Sequence, residues 1–195
     1  MCRAARADIV AAMFSVRIHG RGGQGVVTAA ELLSAAAFLD GAHAQAFPSF
    51  GSERTGAPVV AFCRIDDRRI RVREPIVAPD ALIIQDPTLL HQVDVFGGLL
   101  AGGFVLVNST RPATELGISG IGNVITVPAT ELARKHLGRP LPNAALLGAF
   151  AAATRRVTLA SIETAIGARF AAKPAAANVA AARAAYELIG APAHA

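Results

Sequence analysis

The segment HGRGGQGVVTAA, residues 19–30, sets glycine at Gly20, Gly22, Gly23 and Gly25, then turns apolar and alanine-rich. Gly20, Gly22 and Gly25 satisfy the GxGxxG spacing of a dinucleotide-binding turn. There the first glycine permits a sharp bend, the second lets backbone N–H groups approach a pyrophosphate, and the third lets helix and strand pack closely. The following helix N-terminus adds partial positive charge. The second half of the fingerprint is missing, however. A carboxylate ending the second strand should bind a ribose hydroxyl. The acid at that distance, Asp40, precedes that strand in an Asp-Gly, and the strand itself ends in Phe47-Pro48. The spacing thus argues against bound NAD or FAD. Two readings stay open. The loop presents backbone N–H groups to a partner or an anionic group, with Gln24 adding an amide that donates and accepts, or it is a plain tight connection.

A second stretch, AFPSFGSERTGAPV (residues 46–59), brackets Ser52, Glu53 and Arg54 between Gly51 and Gly56 and carries two phenylalanines beside Pro48. Phenylalanines in a surface loop anchor it to the body of the domain or dock a partner. Arg54 suits bidentate bonding to phosphate or carboxylate. Paired with Glu53 in solvent it would be worth at most ~1 kcal/mol. Three further places stand out. His19 ends a strand beside the glycine loop and reads as a structural histidine. Asp86, before Pro87, reads as a strand end or helix cap. Asn108, Ser109 and Thr110 end another strand, where open parallel sheets bind ligands, or they cap the next helix.

These residues need elements to hold them. Phe14–His19 alternates and is β-branched, a strand; Val26–Leu39 has a helical apolar face ended by Asp40-Gly41. Strands are expected over 42–47, 58–65, 81–85, 104–108 and 123–127, with Arg69–Arg73 folding back on 58–65 as a hairpin arm and a short helix running to Val95. From Ala129 onward the pattern is helical, broken near 138–142, Val157 and Lys173-Pro174. Alternating strands and helices imply an α/β fold: a mainly parallel, Rossmann-like sheet flanked by helices, with an inserted antiparallel hairpin near 58–73 and Ala-rich C-terminal helices over 143–190. Residues 13–195 read as one domain and residues 1–12 as a frayed extension, with Met13 an alternative start.

Composition narrows the function classes. A chain of 195 residues buries roughly 70% of its unfolded surface and needs no disulfide or metal staple. The net charge of +5 rests almost wholly on arginine, since only Lys135 and Lys173 are lysines, and no basic run exceeds two residues. That is a solvated basic surface rather than a nucleic-acid patch. Two cysteines, Cys2 and Cys63, with no CxxC cannot ligate an iron–sulfur cluster or build a structural zinc site. A reducing cytoplasm fits this cysteine usage. No apolar run reaches the ~18 residues of a membrane span.

Taken together, GRGGQGVVTAAELL and QAFPSFGSERTGAPVVAF resemble the gamma subunit of pyruvate:ferredoxin oxidoreductase and related 2-oxoacid:acceptor oxidoreductases. The similarity extends through ALIIQDPTLL, GGFVLVNST and PNAALLGAF and covers most of residues 13–155. The indolepyruvate branch shares the glycine loop but differs in the second loop. The resemblance implies an α/β subunit without its own redox centre. The complete enzyme converts a 2-oxoacid and coenzyme A to acyl-CoA and carbon dioxide and passes electrons to ferredoxin or another acceptor. Thiamine diphosphate, magnesium and iron–sulfur clusters are expected on alpha-, beta- and delta-type partners, none on this chain alone. It further implies that Gly22, Gly23, Gln24 and Gly25 face the cofactor or coenzyme A, with Ser52, Glu53, Arg54 and Gly56 as the adjoining wall and no residue acting as acid, base or nucleophile. The competing readings are a free-standing NAD-binding dehydrogenase and a purely structural scaffold subunit.

Overall fold

A computed structural model describes residues 13–49 and 55–190; the extension at 1–12 and the expected wall residues Ser52, Glu53 and Arg54 lie outside the described residues. Among the described residues, six strands form one sheet: β1 (Phe14–Arg21), β2 (His43–Pro48), β3 (Pro58–Asp66), β4 (Ala81–Ile84), β5 (Phe104–Asn108) and β6 (Asn123–Val127). Five α-helices accompany them: α1 (Val26–Leu39), α2 (Ala129–Leu137), α3 (Asn143–Thr154), α4 (Leu159–Arg169) and α5 (Ala172–Gly190). The sheet order is β2-β3-β1-β4-β5-β6. β1, β4, β5 and β6 run parallel, while β3 lies antiparallel between β1 and β2.

The continuous apolar run of β4, buried at every position, is what a strand covered on two faces requires. Alternation sorts the neighbouring side chains. Val16, Ile18, Ala61, Cys63, Ala81, Ile83 and Leu106 point to one face and pack with buried residues from all five helices. Leu82, Ile84, Val105 and Val107 point to the other, closed by Leu89, Val95, Leu116 and Ile118 from the β4–β5 and β5–β6 connections. Right-handed crossovers explain the split. The chain leaves β1 toward β2 and later builds outward through β4, β5 and β6 on the other side, so the two sets of connections fall on opposite faces. α3 is buried from Asn143 through Ala151 and so has no solvent face along that stretch. Gly148 lets α5 close on it: a Cβ there would lie 1.9 Å from the Ala182 carbonyl oxygen.

The antiparallel insertion is present, but its arms are β2 and β3. Arg69–Arg73 forms no strand. The reason is topological: β1 occupies one edge of β3 and β2 the other, leaving no edge for a third arm. The segment expected to be helical to Val95 is a 3-10 turn over Pro87–His91. The break placed at Lys173-Pro174 falls instead at Phe170-Ala171. Pro174 sits in the first turn of α5, where its missing N–H costs nothing.

Candidate functional site

β1 and β4 are adjacent and parallel, yet the chain leaves them in opposite directions across the sheet. Open α/β sheets form their binding crevice at such a reversal, beyond the carboxyl ends of the strands. The glycine loop sits there. Gly20 ends up against α1 and β4: a Cβ would meet Val26 Cγ2 at 2.6 Å and Gln85 Cβ at 3.2 Å. Gly25 is the N-cap of α1 with φ of 74°, and among the described residues no side chain caps that end. The first intrahelical bond is Ala29 N–H to Gly25 O, so the N–H groups of Val26, Val27 and Thr28 point out of the helix without helical acceptors. They form an anion-ready N-terminus.

The structure joins the two sequence motifs. Gly22 N–H donates to Ala57 O at 2.9 Å, and Gly56 N–H donates to Gly22 O at 3.1 Å. Arg21 clamps the pair. Its Nε donates to Asp86 Oδ2 at 3.0 Å, its Nη1 to Gly56 O at 3.0 Å, and its Nη2 to Thr88 Oγ1 and Gln92 Oε1 at 2.6 and 2.7 Å. Gln24 belongs to the same network: Oε1 accepts from Arg21 N–H at 2.8 Å and Nε2 donates to Asp86 Oδ2 at 2.9 Å. Its amide thus braces the loop from within. Asp86 also caps the 3-10 turn through Thr88 N–H at 3.0 Å. Burial works against the Asp86 charge, but hydrogen bonds from Thr88 and Gln24 and the Arg21 guanidinium outweigh it, so its carboxyl titrates below the usual range. It remains an anion at neutral pH.

Two crevice residues escaped the sequence reading. Gln85 follows β4, is 1% exposed, and has neither amide atom hydrogen-bonded among the described residues. Asn143 opens α3 and is 6% exposed; its Nδ2 lies 2.7 Å from where a Gly25 Cβ would be. A single amide in an apolar run carries no spacing signal; the Pro142-Asn143 pair ahead of a helix was the only cue. Asn108 realises the capping alternative. Its Oδ1 accepts from Thr130 N–H in the first turn of α2 at 3.0 Å, and its Nδ2 donates to Gln85 O at 2.8 Å. His19 is buried on the opposite face, where its Nε2 accepts from Arg17 Nε at 2.9 Å. Burial first, and then Arg17, push its pKa down to about 4 against the opposing pull of Asp94. A neutral, buried imidazole is a structural one.

The donor set tests the cofactors. Asp40, the only acid at the ribose-binding distance, accepts hydrogen bonds from Thr158 N–H, Thr158 Oγ1 and Ser161 Oγ at 2.7, 2.8 and 2.6 Å and so fixes the start of α4. It cannot serve a ribose. Cys63 is buried within the helical-side core and its thiol is pushed up to about 12 by burial, so it is no thiolate ligand. Among the described residues, no cluster of three or more His, Cys, Asp or Glu side chains has metal-binding geometry. The described side chains therefore do not fit an iron–sulfur cluster. No described helix is long and apolar enough to cross a membrane.

Comparison with known proteins agrees with this fold. Residues 15–188 match the family described as pyruvate ferredoxin/flavodoxin oxidoreductase. The chain is 51% identical to pyruvate synthase subunit PorC of Methanosarcina barkeri over 79% of this chain and 85% of that one. It is 46% identical to the pyruvate/ketoisovalerate oxidoreductases common subunit gamma of Thermococcus litoralis, over 90% and 96% of the two chains. The crystal structure of pyruvate oxidoreductase subunit PORC from Thermotoga maritima superposes with a TM-score of 0.78 at 36% identity, over 90% of this chain and 96% of that one. A glycine loop bonded to its neighbour on an open α/β sheet, and identity near one half across nearly the whole of these subunits, lead to one conclusion: the chain belongs to the pyruvate ferredoxin/flavodoxin oxidoreductase family, among its gamma-type subunits.

Proposed function

We propose that this chain completes the active site of a thiamine-diphosphate-dependent 2-oxoacid oxidoreductase of the pyruvate type, as a subunit that shields and orients and carries out no bond-making itself. Its partners are alpha-, beta- and delta-type chains that hold the thiamine diphosphate, magnesium and iron–sulfur clusters, and the assembly works in the cytoplasm. The observation that carries the reading is the joined pair of loops beside the uncapped N-terminus of α1. Backbone N–H groups there suit an anionic group such as a coenzyme A phosphate. Around them the polar side chains of Arg21, Gln24 and Asp86 are committed to one another. Gly22, Gly23, Gln24 and Gly25 form one wall, and Ser52, Glu53, Arg54 and Gly56 the other. Such a wall keeps water and stray protons from a reactive intermediate held by a neighbour.

The test is Arg54→Ala in the reconstituted complex. The expected result is a KM for coenzyme A raised by about tenfold, equivalent to about 1.4 kcal/mol, with the KM for the 2-oxoacid unchanged. Unchanged coenzyme A kinetics with assembly intact would reduce the loops to packing. Saturable NADH binding by the isolated chain would replace the reading with a dehydrogenase.

A further inference from the structure

Residues 67–80 join β3 to β4 without a helix or strand. Connections of about 12–15 residues without secondary structure are uncommon in compact domains and usually functional. The centre of this one, RIRVR at Arg69–Arg73, nevertheless has the composition of a strand: arginine at alternate positions with Ile70 and Val72 between. Arg69, Arg71 and Arg73 are exposed, and Val72 is 43% exposed. Among the described residues, no hydrogen bond reaches the backbone of residues 69–73, and no carboxylate pairs with these three arginines.

The segment is held at its ends. The buried Arg64 donates Nη2 to the Glu74 carbonyl, Ile76 is buried, and Asp80 Oδ2 accepts from Ser15 N–H at 2.7 Å. Its strand pattern has no outlet on the neighbouring β3, whose two edges are filled by β1 and β2, and it joins neither open edge of the sheet. A segment of strand composition with open backbone donors and acceptors is a template for strand addition from another chain. Its arginines decide which chain. They repel a second copy of themselves and favour a strand with acidic residues opposite.

We propose that Arg69–Arg73 is a docking strand that pairs with an extended acidic segment of another subunit of the oxidoreductase. The proposal rests on the subunit reading above. Backbone bonds supply affinity, and alternate Asp or Glu side chains facing Arg69, Arg71 and Arg73 supply selectivity.

Hydrogen exchange on the isolated chain and on the assembled complex tests it. The amides of 69–73 exchange freely in the isolated chain and at least about tenfold more slowly in the complex. Reversing the charges with R69E/R71E/R73E weakens association at least about tenfold while leaving the melting of the isolated chain unchanged. Val72→Pro keeps the charges, removes a backbone donor and also weakens association. A complex in which these amides still exchange freely, or one that assembles normally with the reversed charges, overturns the proposal and leaves the subunit reading standing. So does oligonucleotide binding that the reversal abolishes while assembly stays intact, since the strip would then serve nucleic acid. If the unaltered chain joins no partner, the subunit reading falls and this proposal with it.

Discussion

Gly25 is the place where backbone strain and packing at the crevice can be separated. Its φ is +74°, and a Cβ there would lie 2.7 Å from Asn143 Nδ2. Gly23 shares the left-handed conformation, φ +94°, but nothing lies within 4 Å of its would-be Cβ. Alanine in this region costs about 1–2 kcal/mol. Gly23→Ala should lose that alone. Gly25→Ala must also displace Asn143, whose Oδ1 accepts from Ala144 N–H at 2.9 Å. Disturbing that buried amide adds about 1 kcal/mol, for a total of about 2–3 kcal/mol. In a chain of this length that lowers Tm by about 4–12 °C. The decisive arm is the double variant. Asn143→Ala removes the obstruction, so Gly25→Ala/Asn143→Ala should lose less than the sum of the single losses by about 1 kcal/mol. Urea unfolding of the unaltered chain and the four variants measures this. Additivity within about 0.5 kcal/mol, or equal losses for Gly23→Ala and Gly25→Ala, would refute the claim that α3 rests on the glycine loop.

Acid offers a separate probe: the unfolded chain takes up a proton at His19 near pH 6.5, the folded chain only near 4. The unfolded state therefore binds more protons between those values. Stability should be full above pH 6.5 and fall across the window by up to about 3 kcal/mol, a slope that His19→Gln removes in pH-dependent urea titrations. Asp40→Ala should cost about 1–2 kcal/mol by freeing the start of α4, measured by urea unfolding, and leave coenzyme A kinetics in the complex unchanged. Gly148→Ala should cost about 3 kcal/mol in calorimetry, because its methyl group would meet the Ala182 backbone and not a movable side chain.

Local signals survived into the structure where they were self-sufficient. α1 begins and ends where the glycine loop and Asp40-Gly41 place it, since start, apolar face and stop all lie within one short window. The Arg69–Arg73 arm failed for the opposite reason. A period of two says that a segment is extended; it does not say which edge is vacant, and β2 had taken the one in question. The candidate site divides the same way. The glycine loop and the loop containing Gly56 were legible as motifs, and the structure brings Gly22 and Gly56 into contact. The bracing bonds of Gln24 were not legible, because an amide in an open loop looks free until its partner, Asp86, arrives from 62 residues away. Gln85 and Asn143 went unread because they come from the end of β4 and the start of α3, and only the fold gathers them.

That gathering bears on what kind of chemistry the crevice supports. Proton transfer needs a group whose charge changes near neutral pH. Asp86 is locked as an anion by Thr88, Gln24 and Arg21, and His19 is locked neutral beneath the sheet. Arg21 spreads its guanidinium over Asp86, Gly56, Thr88 and Gln92, so it fixes two loops to one strand end and has little left for a ligand. Among the described residues, what stays available beside the unbonded Gln85 amide is backbone: the outward N–H groups of α1, held in place by the contacts behind them. Fixed dipoles of this kind act without reorganising, which is an advantage only if the reacting atoms come to them. Under the proposed function, a chain so arranged works by being placed against a neighbour's chemistry, and the bonds that tie its two loops together are what that placement depends on.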